Sequence, residues 1–193
     1  MKRIGLMAAL SIAVFATSCK KEPKETEVVK ETVEVLKVEV AAPSKKLTMK
    51  LAPKSDSKAA GSVVFNEVDG IVTMTAVLDG LSEGTHAIHI HEKADCSSAD
   101  GKSSGGHWNP TAQPHGKWGD AAGYHKGDIG NFEADENGNG TTTVTTNEWC
   151  IGCDDPNKDI TGKAIIVHQG TDDFTSQPSG AAGARISCGG IIE

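Results

Sequence analysis

From residue 47 onward the chain is a series of short β-like runs of apolar residues and threonines, several of them alternating apolar with polar positions. These are Leu47–Leu51, Ala60–Phe65, Ile71–Leu78 and Thr85–His91, then Asp128–Ala134, Thr141–Thr146, Lys163–His168 and Ala184–Ser187. Alternation with a period of two marks a strand with one buried face, because successive strand side chains point to opposite sides. Asp69-Gly70, Asp79-Gly80 and Asn137-Gly138 supply turn chemistry between runs. No convincing amphipathic-helix period interrupts the series. Eight such runs predict an all-β sandwich or barrel. Between the fourth and fifth runs, Glu92 to Gly127 is rich in Gly, Ser, Asn and Pro, which predicts a long loop.

The first 45 residues read differently. Residues 1–18 place Lys2 and Arg3 before an apolar stretch from Ile4 to Ala16 and small residues ahead of Cys19. That is the layout of an export signal, and the stretch is too short to span a bilayer. Ala16-Thr17-Ser18-Cys19 is similar to a bacterial lipobox, with Ala16 where Leu is usual. It predicts cleavage and acylation of Cys19, against the simpler outcome of cleavage alone. Residues 19–45 alternate Lys, Glu, Thr and Val, and are expected to tether the lipid to a domain spanning 46–193. Thr32–Val40, where apolar and charged residues alternate, leaves an additional edge strand open.

The chain has 193 residues, enough for one domain with a substantial core. Its formal net charge is −7, and removal of residues 1–18, with Lys2 and Arg3 and no acidic group, moves it to about −9. This excludes a nucleic-acid binder and opposes the approach of anions. Contact with a membrane is expected only through a lipid on Cys19.

All seven histidines fall in recognisable settings. His89 and His91 share one strand face and can grip one ion, whereas His86 has the opposite parity and is expected to be structural. His107, His115, His125 and Asp128 lie in or beside the long loop, and His168 ends a strand. Imidazole is the commonest nitrogen ligand for zinc and copper, so the set reads as a metal centre assembled from distant parts of the chain.

These segments resemble the bacterial copper–zinc superoxide dismutases over roughly residues 46–192. The family's His-Gly-Phe-His-Val-His is similar to His86-Ala87-Ile88-His89-Ile90-His91. Its Gly-x-His-Phe-Asn-Pro is similar to Gly105-Gly106-His107-Trp108-Asn109-Pro110, and its His-x-Gly-Asp-Leu-Gly-Asn to His125 through Asn131. Its closing Ala-Gly-x-Arg-x-x-Cys-Gly is similar to Ala182 through Gly189. The resemblance implies an eight-stranded antiparallel Greek-key β-sandwich or barrel with long metal-binding and active-site loops. It implies one copper ion on His89, His91, His107 and His168, and one zinc ion on His107, His115, His125 and Asp128, with His107 bridging the two. It also implies that Asp172 accepts hydrogen bonds from His89 and His115, and that Arg185 positions the superoxide anion. The implied reaction is dismutation of superoxide to oxygen and hydrogen peroxide, with His107 catalytic as a proton carrier, on the periplasmic or cell-envelope side. A rival reading is an envelope copper-binding or copper-delivery lipoprotein without that activity. Monomer and homodimer both stay open.

The resemblance pairs Cys96 with Cys188. Cys150-Ile151-Gly152-Cys153 is outside the family pattern, and three readings stand: a local disulfide, a metal-binding thiol pair, or free thiols. Ala87 stands where the family has Gly, so a left-handed backbone there would cost about 1 kcal/mol. Trp108 and Trp118 are expected to pack. Gln169–Gly183 contains no lysine, which leaves Arg185 and the metals to attract the anion.

Overall fold

The computed structural model describes residues 44–192. The export signal, Cys19 and the Thr32–Val40 segment lie outside those residues. Eight strands appear where the alternation predicts them: β1 Ser44–Pro53, β2 Ala60–Val68, β3 Ile71–Asp79, β4 Gly84–His91, β5 Gly130–Ala134, β6 Gly140–Thr146, β7 Ala164–His168 and β8 Arg185–Gly190. They close into an antiparallel barrel in the order β1-β2-β3-β6-β5-β4-β7-β8. Closure is made by Ala52 and Pro53 of β1 against Cys188 and Ser187 of β8. Because β3 pairs with β6 and β4 lies between β5 and β7, the chain crosses one end of the barrel between β3 and β4. This is the Greek-key crossover.

The boundaries differ from the sequence pattern at three places. β1 begins at Ser44, two residues ahead of the expected domain start at 46, and pairs Ser44 with Val68. β5 begins at Gly130, not at Asp128, because Asp128 is held in a turn by its N–H bond to the His125 carbonyl at 3.1 Å. β8 runs on to Gly190, where it pairs with Ala164.

Alternation fills the barrel. Leu47, Met49 and Leu51 of β1, Val63 and Phe65 of β2, and Val72, Met74, Ala76 and Leu78 of β3 are buried in one cluster. Each large side chain removed from water there contributes about 1.5–3 kcal/mol. β4 and β7 are buried on both faces. Their inner faces pair Ile88 with Val167 and Ile90 with Ile165, all part of the main core. The outer faces carry His89, His91 and His168, and Glu92–Gly127 and Gln169–Ala184 supply the loop residues around them. Ala87 has ordinary strand backbone and is fully buried, so the substitution of Ala for Gly stores no left-handed strain.

Trp108 is 4% exposed within the core, and Trp118 packs against the core edge-on to Trp149 at 5.2 Å. Both act as packing residues. Cys96 and Cys188 form a disulfide, as do Cys150 and Cys153. The local disulfide is therefore the reading of the CxxC segment that the structure adopts.

Candidate metal centre

Three backbone hydrogen bonds tie the Glu92–Gly127 loop to β4 and to itself. Trp108 N–H donates to the Ile90 carbonyl at 2.8 Å, Gly127 N–H to the Trp108 carbonyl at 3.0 Å, and Ile90 N–H to the Gly127 carbonyl at 2.9 Å. Each of the three residues has a metal-type side chain next in sequence or within two positions: His91 and His89, His107, and Asp128 and His125. A side chain at Gly127 would place its Cβ 2.2 Å from the Ile90 carbonyl oxygen, so only glycine lets the loop approach this closely.

The result is two groups of four potential ligands whose ligating atoms lie within 4.8 Å of one another. One is His89, His91, His107 and His168; the other is His107, His115, His125 and Asp128. Every member is buried. His86 joins neither group. Its Nδ1–H donates to the His168 carbonyl at 2.9 Å and its ring lies 6.0 Å from that of Phe132, which is the structural role expected from its parity.

Hydrogen bonds decide which nitrogen of each ring is free. His89 Nε2–H donates to Asp172 Oδ2 at 2.9 Å, His91 Nδ1–H to the Gly105 carbonyl at 3.0 Å, and His168 Nδ1–H to the Gly183 carbonyl at 3.4 Å. His115 Nε2–H donates to Asp172 Oδ1 at 2.9 Å. The remaining nitrogens His89 Nδ1, His91 Nε2 and His168 Nε2 are buried without a hydrogen-bond partner, as is His107 Nε2, while His115 Nδ1 lies 3.0 Å from Asp128 Oδ2. A buried polar atom without a partner is costly, and a ring nitrogen carrying a lone pair is what a cation requires. The other His107 nitrogen, Nδ1, lies 2.8 Å from Asp128 Oδ1. His107 therefore presents one nitrogen to each group. A histidine-rich copper site joined to a zinc site through this ring fits the donor set.

The titration behaviour agrees. Burial lowers the pKa of His89, His91 and His168, and that of His107 to about 4, which favours the neutral, metal-binding form. For His115 burial acts in the same direction, but Asp128 and Asp172 together outweigh it and raise the pKa to about 9. Burial opposes ionisation of Asp128 and Asp172, yet hydrogen bonds from surrounding imidazoles hold both well below the usual carboxylate range.

Asp172 is itself fixed by a reciprocal pair: its N–H donates to Asn131 Oδ1 at 2.8 Å, and Asn131 Nδ2 donates to its carbonyl at 2.9 Å. Gly180, with φ +67, wraps so closely that a Cβ there would come within 1.8 Å of Asp172 Oδ1. Gln177 holds His115 in the same reciprocal way, accepting from its N–H and donating to its carbonyl, both at 2.9 Å. Nothing in the sequence marks Gln177 for this contact. Asn131, by contrast, stands in the motif that contains Asp128.

A cavity of about 710 Å³ is lined by His91, His107, His168 and Arg185. Arg185 Nη1 donates to the Gly101 carbonyl at 3.0 Å and to Ser104 Oγ at 3.1 Å, with Ser104 fully buried in the helical turn Lys102–Ser104. Partial burial lowers its pKa, against the pull of Asp100 and Glu92. Lys102, Glu92 and Asp100 also line the cavity. Lys102 was not singled out by the sequence pattern, because the loop that carries it precedes the metal-type histidine His107.

Comparison with known proteins agrees with this geometry. Residues 59–191 match the family model described as copper/zinc superoxide dismutase. A superoxide dismutase [Cu-Zn] from Caulobacter vibrioides is 37% identical over 140 residues, covering 70% of this chain and 80% of that protein. An extracellular superoxide dismutase [Cu-Zn] from Caenorhabditis elegans is 29% identical over 195 residues, covering 98% of this chain and 77% of that protein. Among solved structures, a double mutant of a SOD-like protein from Bacillus subtilis superposes with a TM-score of 0.67 at 30% identity, covering 76% of this chain and 97% of its own. Two buried four-ligand groups sharing one imidazole, on the outer wall of an eight-stranded Greek-key barrel, thus agree with a family match over most of the described residues: the chain belongs to the copper/zinc superoxide dismutase family.

Proposed function

We propose that this chain dismutates superoxide to oxygen and hydrogen peroxide, using one copper and one zinc ion. The observation that carries the reading is the set of buried ring nitrogens left without partners, one from each residue of the group His89, His91, His107 and His168. Copper would be held by these four, and zinc by Nδ1 of His107, His115 and His125 with the Asp128 carboxylate. Copper supplies the one-electron redox change that oxidises one superoxide and reduces the next.

The protein's own groups do the remaining work. Asp172, Gly105 and Gly183 hold the second nitrogens of His89, His91 and His168, fixing each ring's orientation and tautomer. Arg185, clamped by Gly101 and Ser104, aims its guanidinium into the cavity that His91 and His168 line, where it attracts and orients a small anion. His107 lines the same cavity, and its Nε2 can hold a proton and release it toward reduced substrate. Its Nδ1, turned toward Asp128, belongs to the zinc side.

The protein acts outside the cytoplasm in this proposal, anchored through a lipid on Cys19 and protecting the cell envelope. Supporting this are the charged-then-apolar opening of the chain, two disulfides in the structure, and a relative named as extracellular. The deciding experiment measures metal content and superoxide consumption on one reconstituted sample, beside His91→Ala and His125→Ala. His91→Ala should lose copper and nearly all activity while retaining zinc, and His125→Ala should lose zinc while retaining most copper. Metal binding by the wild type without superoxide consumption would replace this reading with the copper-delivery one.

A further inference from the structure

Two of the four residues in the zinc group are held by polar contacts beyond the group itself: His115 by Asp172 and Gln177, and Asp128 by the N–H group of Gly116 at 3.1 Å. His107, whose ring contacts Asp128 alone at 2.8 Å, is flanked by the backbone bonds from Trp108 N–H to Ile90 and from Glu92 N–H to Gly106. Among the described residues the His125 ring has one polar contact, to Asp128 at 3.1 Å. What fixes that ring is the backbone on either side of it.

Both neighbours of His125 are gripped by the segment that follows β6. Tyr124 Oη–H donates to Glu148 Oε1 at 2.6 Å, and the Lys126 ammonium pairs with the other oxygen of the same carboxylate. Trp149 Nε1–H donates to the Lys126 carbonyl at 2.9 Å. Trp118 lies between them, its ring 5.2 Å from that of Tyr124 and 5.2 Å from that of Trp149. One carboxylate and one indole thus hold residues 124 and 126, with His125 between.

The gripping segment is anchored in the core. Trp149 is 1% exposed, and Ile151 and Ile160 are core residues. Ile151 N–H donates to Glu67 Oε2 at 2.8 Å, and Cys150 and Cys153 are disulfide-bonded. Side-chain exposures of 20% for Lys126 and 28% for Glu148 also remove this ion pair from the fully solvated class, which contributes little.

We infer that Glu148, seconded by Trp149, is a positioning residue for His125 and controls how long zinc stays bound. The inference rests on the reading of His107, His115, His125 and Asp128 as the zinc set. With Glu148 intact, the backbone on both sides of His125 is fixed and the ring re-engages after any opening. Without it, residues 124–126 swing on the outer side of the loop, and zinc is lost from that side. Outer contacts of this kind typically change metal affinity by about 10–100-fold.

The test uses the full chain loaded with copper and zinc, and follows transfer of each metal to an excess of chelator. Glu148→Ala should release zinc at least about tenfold faster than wild type, with copper release within about twofold. Glu148→Gln, which keeps an acceptor for Tyr124 and loses the ion pair, should fall between. Cobalt(II) in the zinc position gives a second readout: its visible ligand-field bands should broaden in Glu148→Ala and return toward wild type in Glu148→Gln. Zinc release at the wild-type rate in Glu148→Ala, or equal acceleration of both metals, would overturn the positioning role. His125→Ala, loaded in parallel, separates the two ideas. If it takes up zinc as well as wild type does, the zinc-set reading itself fails. If it does not, a failure of Glu148→Ala counts against Glu148 alone.

Discussion

Removing the two disulfides one at a time should produce effects of different size and kind. Cys96–Cys188 spans 92 residues and Cys150–Cys153 spans 3. The loop-closure entropy withheld from the unfolded chain corresponds to about 4.6 kcal/mol for the long loop and about 1.6 kcal/mol for the short one. For a domain of this size each kcal/mol moves the melting temperature by roughly 2–4 °C. Cys96→Ser with Cys188→Ser should therefore lower the metal-free melting temperature by roughly 9–18 °C, and Cys150→Ser with Cys153→Ser by roughly 3–6 °C. The long link also serves the site. Cys188 lies three residues after Arg185, and the Cys96 loop leads into Gly101 and Ser104, which hold that guanidinium. Loss of Cys96–Cys188 should then lower superoxide consumption per bound copper, whereas loss of Cys150–Cys153 should leave it unchanged. The assay is differential scanning calorimetry of the metal-free proteins, with activity normalised to copper after reconstitution. Equal destabilisation by the two double variants would refute the loop-length argument, and unchanged activity in the Cys96/Cys188 variant would refute the link to Arg185.

Arg185→Ala should lower the rate constant by about tenfold or more with both metals bound, and Arg185→Glu should lower it further, with added salt narrowing the gap between the two variants because long-range attraction is screened beyond about 10 Å at 0.1 M. Superoxide consumption per copper across ionic strength checks this, and equal rates for wild type and Arg185→Glu would reduce Arg185 to a surface residue. Asp172→Ala removes the acceptor of both His89 Nε2–H and His115 Nε2–H, so competition with chelators should show both metals held about 10–100-fold more weakly; weakening of only one would mean that one ring is oriented by other contacts. His115, raised to about 9 in the metal-free protein, carries a proton at pH 7.5 that zinc must displace. Zinc affinity should therefore rise with pH toward 9, and calorimetric heats should vary with the buffer's ionisation enthalpy; buffer-independent heats would show that His115 is already neutral. The same shift has the opposite sign for folding. A raised pKa stabilises the metal-free fold below the unfolded value of 6.5, and this contribution is lost as pH rises through 9.

The strands and ligand candidates were legible because both are written in local pattern. Short β-like runs bounded by turn residues placed β1 through β8 to within a few residues, and His-x-His on β4 announced two rings on one face. The parity that excluded His86 was legible for the same reason. The loop contacts were not, since they join residues far apart that carry no periodic signal. Gln177 reaches His115 across 62 positions, Ser104 reaches Arg185 across 81, and Glu148 reaches Tyr124 across 24. A glutamine or serine in a loop is ordinary until the fold brings its partner beside it. The β5 boundary was misplaced by two residues: Asp128 and Ile129 are out of phase with the alternation of Gly130–Ala134, and the Asp128 carboxylate is committed to the N–H groups of His125 and Gly116.

β4 interleaves isoleucine and histidine, with Ile88 and Ile90 inside the barrel and His89 and His91 outside. A slip of one residue in its pairing would turn two imidazoles into a hydrocarbon interior and push two isoleucines out among polar loops. Both changes are unfavourable, and each large aliphatic side chain displaced from the core costs about 1.5–3 kcal/mol before any metal is present. The oily interior therefore acts as a proofreader for the inorganic chemistry on its outer wall: a chain that has threaded β4 wrongly is rejected by its own core, and a cation meets only molecules whose ligands are already in register.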